Sequence, residues 1–95
     1  MAVRSIAYVT LTDANTNYAL STDTVKAMVT VINDSGAAAS NANTARVFVG
    51  KSAAALTDKI PLPLGASKEF RGANPSLLYG RSGTAGQIVC VITED

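Results

Sequence analysis

The chain contains no histidine, so the side chain most often used as a general base and metal ligand near neutral pH is missing. It has one cysteine, Cys90. A lone thiol cannot close an internal disulfide, and without histidine it cannot build a zinc site of the usual Cys/His type. Cys90 stands inside the apolar run Ile88–Ile92 with no basic neighbour in sequence to lower its pKa. A buried, inert thiol is therefore expected rather than a nucleophile. The seven carboxylates, Asp13, Asp23, Asp34, Asp58, Glu69, Glu94 and Asp95, are dispersed. A glycosidase needs two of them converging in a cleft, and a small domain leaves little room for one.

Other motif matches are weak. Gly80–Gly86 is glycine-rich but lacks the Lys-Ser/Thr ending of a phosphate-binding loop. Asn33-Asp34-Ser35 fits the glycosylation pattern and reads more simply as a turn, while Pro75 excludes Asn74-Pro75-Ser76. The Asp13–Asn17 segment lacks the spacing of a calcium-binding loop. The expectation is no catalytic residue, no metal ligand, no cofactor and no enzyme.

Charge points the same way. Eight basic residues face seven acidic ones, and the basic residues form no run. A nucleic-acid surface needs a basic stripe that follows phosphates, so no nucleic-acid partner is expected. No apolar stretch approaches the roughly 20 residues of a membrane-spanning helix. Met1-Ala2-Val3 followed by Arg4-Ser5 does not read as a secretory leader. No membrane partner is expected, and the chain is expected to be made in a cytoplasm, in keeping with its single thiol.

These residues must be carried by short strands. Val3–Thr12 alternates, with Val3, Ala7, Val9 and Leu11 on one face and Ile6 and Tyr8 on the other. Asp13–Asn17 is a turn, and Tyr18–Leu20 a short strand. Val25–Ile32 alternates again, stopped at Asn33–Gly36. Thr44–Val49 reads as a strand stopped by Gly50, and Ser52–Leu56 as one helical turn or a loop. Two prolines make Ile60–Gly65 an extended edge segment. Ser67–Arg71 is a short strand with Phe70 inward, Gly72–Pro75 a turn, Ser76–Arg81 a strand and Ser82–Gly86 a hairpin loop. Gln87–Thr93 is the most continuous apolar run and reads as a central strand. The pattern predicts an all-β fold: a single domain over residues 1–95, a small antiparallel β-sandwich or barrel of about six to eight short strands. Apolar residues make up 47% of the chain, enough for one modest core. A chain this short hides only about 60–70% of its unfolded surface, so a partner that covers the spare apolar faces would add stability.

The stretch Ala45–Thr93 resembles a family of small phage virion proteins. The likeness rests on a strand ending in glycine, Val47-Phe48-Val49-Gly50, and a proline-leucine step into a strand, Ile60–Phe70. It continues through Leu77-Leu78-Tyr79, the Ser82–Gly86 loop and a closing apolar strand, Ile88–Ile92. The resemblance implies a non-enzymatic structural protein, of the capsid decoration (cement) type. Such a protein sits on the outside of the virion head as a homo-oligomer, most simply a trimer, and clamps the major capsid protein. A head–tail or tail component is the alternative within that class, and a glycan-binding module the alternative outside it. Interface candidates, taken from strand faces turned away from the core or from tyrosines, are Ile6, Tyr8, Tyr18, Met28, Ile32, Phe48 and Tyr79.

Overall fold

The computed structural model describes residues 3–34, 43–51 and 60–94. The expected helical turn or loop at Ser52–Leu56 lies outside the described residues. Eight strands run in chain order: β1 (Val3–Leu11), β2 (Tyr18–Ala19), β3 (Ala27–Ile32), β4 (Val47–Lys51), β5 (Ile60–Leu62), β6 (Ser67–Ala73), β7 (Leu78–Arg81) and β8 (Gln87–Glu94). One 3₁₀ turn, Pro75–Leu77, precedes β7. The fold is all-β, as the alternation predicts. The strands form two four-stranded sheets, ordered β1-β8-β3-β6 and β2-β7-β4-β5, and every pairing is antiparallel.

Period-two alternation decides which side chains meet between the sheets. Val29 and Val31 of β3, Val47 and Val49 of β4, and Val89 and Val91 of β8 point inward and are buried. Leu11, Leu20, Leu62 and Leu78 complete the core, with Phe70 packed against it as its strand pattern suggests. The core is thus aliphatic and largely β-branched, which suits a pleated surface. Gly80 of β7 faces Leu20 and Leu11: a Cβ there would come within 3.1 Å of Leu20 Cδ2. The missing side chain lets the two leucines close over the strand.

Two expectations are corrected. Ser82–Gly86 is not a hairpin loop, because β7 pairs with β2 and β4 while β8 pairs with β1 and β3. The loop carries the chain from one sheet to the other. Ser82 fixes its start, donating from Oγ to the Arg46 carbonyl (3.0 Å) and accepting from the Thr84 N–H (3.1 Å). Gly50 does not stop β4. It is buried within the strand and pairs with Tyr79.

The sheets are joined at one end by buried polar side chains. Asn33, at the end of β3, donates from Nδ2 to the carbonyls of Leu62 (2.8 Å) and Ala45 (3.1 Å). Its Oδ1 accepts from Asn43, which also accepts from the Ile88 N–H at 2.8 Å. Gln87 Oε1 accepts from the N–H groups of Thr44 (2.8 Å) and Ala45 (3.0 Å). The segment entering β4 is therefore held to β3, β5 and β8 by amides that satisfy its main chain. Replacing Asn33 by Ala would leave two buried carbonyls without this donor. The expected loss of stability is about 2–3 kcal/mol, measured by urea denaturation, because each unsatisfied buried group costs on the order of 1–3 kcal/mol. A loss below about 0.5 kcal/mol would show that the amide cluster does not join the sheets.

Candidate functional site

The outer face of the first sheet is built from the even-numbered positions of β1, β8 and β3. Register sets them in rows. Ile6 lies beside Ile92, which lies beside Thr30. Tyr8 lies beside Cys90, which lies beside Ile32. Thr10 flanks Ile88, and Met28 flanks Glu94. The centre of this face is apolar. Its margin is polar, with Thr10, Glu94 and, on β6, Ser67 and Glu69. Ile6 is 59% exposed and Tyr8 43% exposed, while Met28, Ile32 and Ile92 are half-buried. Three strands about 4.8 Å apart and four rows of side chains make a face of about 300 Å², apolar at its centre, in the size range at which exposed patches on small proteins are often functional.

This face brings together four of the candidate interface residues, Ile6, Tyr8, Met28 and Ile32. The other three lie elsewhere. Phe48 and Tyr79 belong to β4 and β7 of the opposite sheet, and both are half-buried. Tyr18 sits on β2, packs against the core and accepts the Asp13 N–H on its hydroxyl at 2.8 Å. Selection of tyrosines by type alone therefore gathers residues from both sheets and the core margin. The residues that selection omits are Ile88, Cys90 and Ile92, the middle of the apolar face. The signal was present in β8, which is apolar at every position from Ile88 to Ile92.

Cys90 is buried at the centre of this face, on the strand next to Tyr8. Burial pushes its thiol above the ordinary value; the Tyr8 hydrogen bond acts against that shift and the Asp34 charge adds to it. The unfolded chain therefore loses this proton first. The neutral thiol favours the fold up to the ordinary thiol range, and stability falls as pH rises beyond it.

On the other flank, a shallow cleft of about 320 Å³ is lined by Lys26, Lys51, Phe70, Arg71, Asn74 and Leu77, among others. Among the described residues its lining holds cations and no carboxylate. Among the described residues no group of three or more Cys, Asp or Glu side chains is placed to hold a metal ion. No helix among the described residues is long and apolar enough to cross a membrane. What the molecule presents is an all-β domain of two antiparallel sheets with one apolar outer face. Comparison with protein-family models, with curated proteins and with solved structures gives no match.

Iodoacetamide at pH 8 should alkylate Cys90 in the native protein about tenfold or more slowly than in the urea-unfolded chain, because burial and the raised pKa both suppress the thiolate. Equal rates, followed by mass spectrometry, would contradict the burial of the middle of this face.

Proposed function

We propose that this chain is a non-enzymatic structural protein that works by laying the outer face of the β1-β8-β3 sheet on another protein. The observation that carries the reading is the composition of that face, apolar at its centre and polar at its margin. That is the arrangement of protein–protein interfaces. The partner we assign is the major capsid protein, and the place is the exterior of a phage head. The likeness of Ala45–Thr93 to small virion proteins supports this assignment.

The size of the patch fits the role. A standard interface covers about 800 Å² per partner, more than the apolar centre supplies. At roughly 25 cal/mol per Å², each 100 Å² of apolar area covered contributes about 2.5 kcal/mol before the costs of association. One such contact is weak. A particle surface offers the same contact many times, and an oligomer that makes several contacts at once gains by avidity. Weak, repeated clamping across subunit boundaries is the mechanical task of a decoration protein.

The test uses the encoding phage with this gene deleted. Heads lacking the protein should assemble, burst at a lower temperature or under weaker osmotic shock, and regain robustness when the purified protein is added. The I92K variant places a charge in the centre of the face without entering the core. It should fold but co-sediment with heads at least about tenfold more weakly, a loss of 1.4 kcal/mol or more. Equally robust heads with and without the protein would overturn the decoration role. Protein found on tails and never on heads would move the assignment to a tail component.

A further inference from the structure

Each sheet has two edges, and an edge strand exposes unpaired N–H and C=O groups that invite pairing with another chain. Three of the four edges here carry known safeguards. β2 is two residues long. β5 is three residues long and contains Pro61, which has no N–H to donate. β6 carries Lys68, Glu69 and Arg71, a register shift against β3, and Gly72 at φ +61°. β1 differs. It is nine residues long, has no proline or lysine, and pairs with β8 on one side only. Its one charged residue, Arg4, is ion-paired with Asp23. Val3, Ile6 and Tyr8 are all exposed, and its register shift lies at the extreme start, between Val3 and Ser5.

The ladder shows which main-chain groups face that open edge. At the end of β3 the Asn33 N–H donates to the Ala66 carbonyl on the β6 side (2.9 Å). Odd positions of β3 therefore face β6 and even positions face β8, because alternate residues of an antiparallel strand bond to opposite neighbours. β8 then meets β3 through its even positions and β1 through its odd ones, and these pair with Ser5, Ala7, Val9 and Leu11. The Leu11 carbonyl does accept from the β8 side, from the Gly86 N–H at 2.9 Å. The N–H and C=O groups of Ile6, Tyr8 and Thr10 consequently point out of the sheet.

We infer that this edge is where a second copy of the chain adds, β1 against β1, antiparallel about a two-fold axis. Among the described strands β1 is the one edge without such a safeguard, and that fixes the geometry. A closed ring of three needs two different complementary surfaces, whereas a single edge is complementary to itself only in a two-fold pair. Pairing centred on Ala7 sets Ile6 of one copy opposite Tyr8 of the other, a branched–aromatic pair of the kind that stabilises sheets. It sets no charge against a like charge, since Arg4 falls opposite Thr10. The product is one eight-stranded sheet with the two outer faces side by side, about 600 Å² in all, close to the area a standard interface needs from one partner. The inference deepens the proposed function by supplying its oligomer, and it replaces the expected trimer with a dimer.

The test is sedimentation equilibrium of the full chain together with hydrogen exchange. The wild-type protein should have twice the mass of the 9.7 kDa chain at micromolar to tens of micromolar concentration. Its Ile6 and Tyr8 amides should gain at least about tenfold protection as concentration rises. I6P removes an N–H that points outward and costs no bond to β8, so it should be a folded monomer, while I6V should remain a dimer. A wild-type monomer or trimer would overturn the inference, as would a dimer in which the Ile6 and Tyr8 amides exchange freely. If I6P fails to fold, the wild-type exchange data decide alone. Head binding lost in I92K with dimerisation intact would separate the two proposals.

Discussion

The structure depends on β8, a strand that must keep apolar side chains dry on both sides within a domain only two layers thick. Val89 and Val91 meet the second sheet, while Ile88 and Cys90 face outward and are still less than a tenth exposed. One layer of protein covers the inner set. Among the described residues the outer set lies beside Tyr8 and Thr10 on β1 and Ile32 on β3, with Asn43 bonded to the Ile88 main chain. Those neighbours on β1 and β3 are themselves apolar or only weakly polar, so the problem moves outward by one row instead of ending. The described strands form two layers and no third to finish the task. The apolar outer face is the visible remainder, and the functional reading grows from it.

The chain threads back and forth between the two sheets. Of the seven connections between consecutive strands, six pass from one sheet to the other, and only β4 to β5 stays within a sheet. The first strand lies beside the last, and β7 pairs with β4 instead of its successor β8. Contacts are therefore mostly long-range, a topology that folds slowly because loop closure precedes reward. Polar side chains hold the crossings where main chain would otherwise be buried unpaired. Asn33, Asn43 and Gln87 do this at one end; Asn74 caps the 3₁₀ turn by accepting from the Ser76 N–H at 3.0 Å. A platform tied in this manner can present a flat face without an additional core.

Most strands were legible in the sequence because alternation is local. β1, β3 and β8 emerge within two residues of their bounds, and the inward sets of β3 and β8 are those that alternation names; on β1 only Val9 and Leu11 of the expected set pack inward, while Val3 and Ala7 are exposed because β1 is an edge strand with a register shift at its start. What was not legible is pairing. A strand, a Ser/Gly/Ala turn and a second strand look the same whether the turn closes a hairpin or changes sheet, and Ser82–Gly86 changes sheet because the partner of β7 lies some thirty residues earlier. Gly50 reads as a stop because glycine weakens isolated strands, yet here pairing with Tyr79 of β7 carries β4 through it. The candidate interface divided for the same reason. Ile6, Tyr8, Met28 and Ile32 follow from the strand period and converge. Phe48 follows from the same period but on a strand of the other sheet, and Tyr18 and Tyr79 rest on residue type, which says nothing about face; none of the three joins them. The polar clasp around Asn33 is not legible in the sequence, since its partners are the Ala45 and Leu62 carbonyls and the Asn43 side chain, all distant in sequence.

The central claim is that the outer face of β1, β8 and β3 is the surface covered by the partner protein. Hydroxyl-radical footprinting of the protein free and bound to phage heads tests it most directly, because both faces of the molecule carry reactive side chains. The account predicts that oxidation of Tyr8 and Met28 falls on binding while that of Phe48 and Tyr79 on the opposite sheet does not change. Protection of Phe48 and Tyr79 with Tyr8 and Met28 unaffected would contradict it.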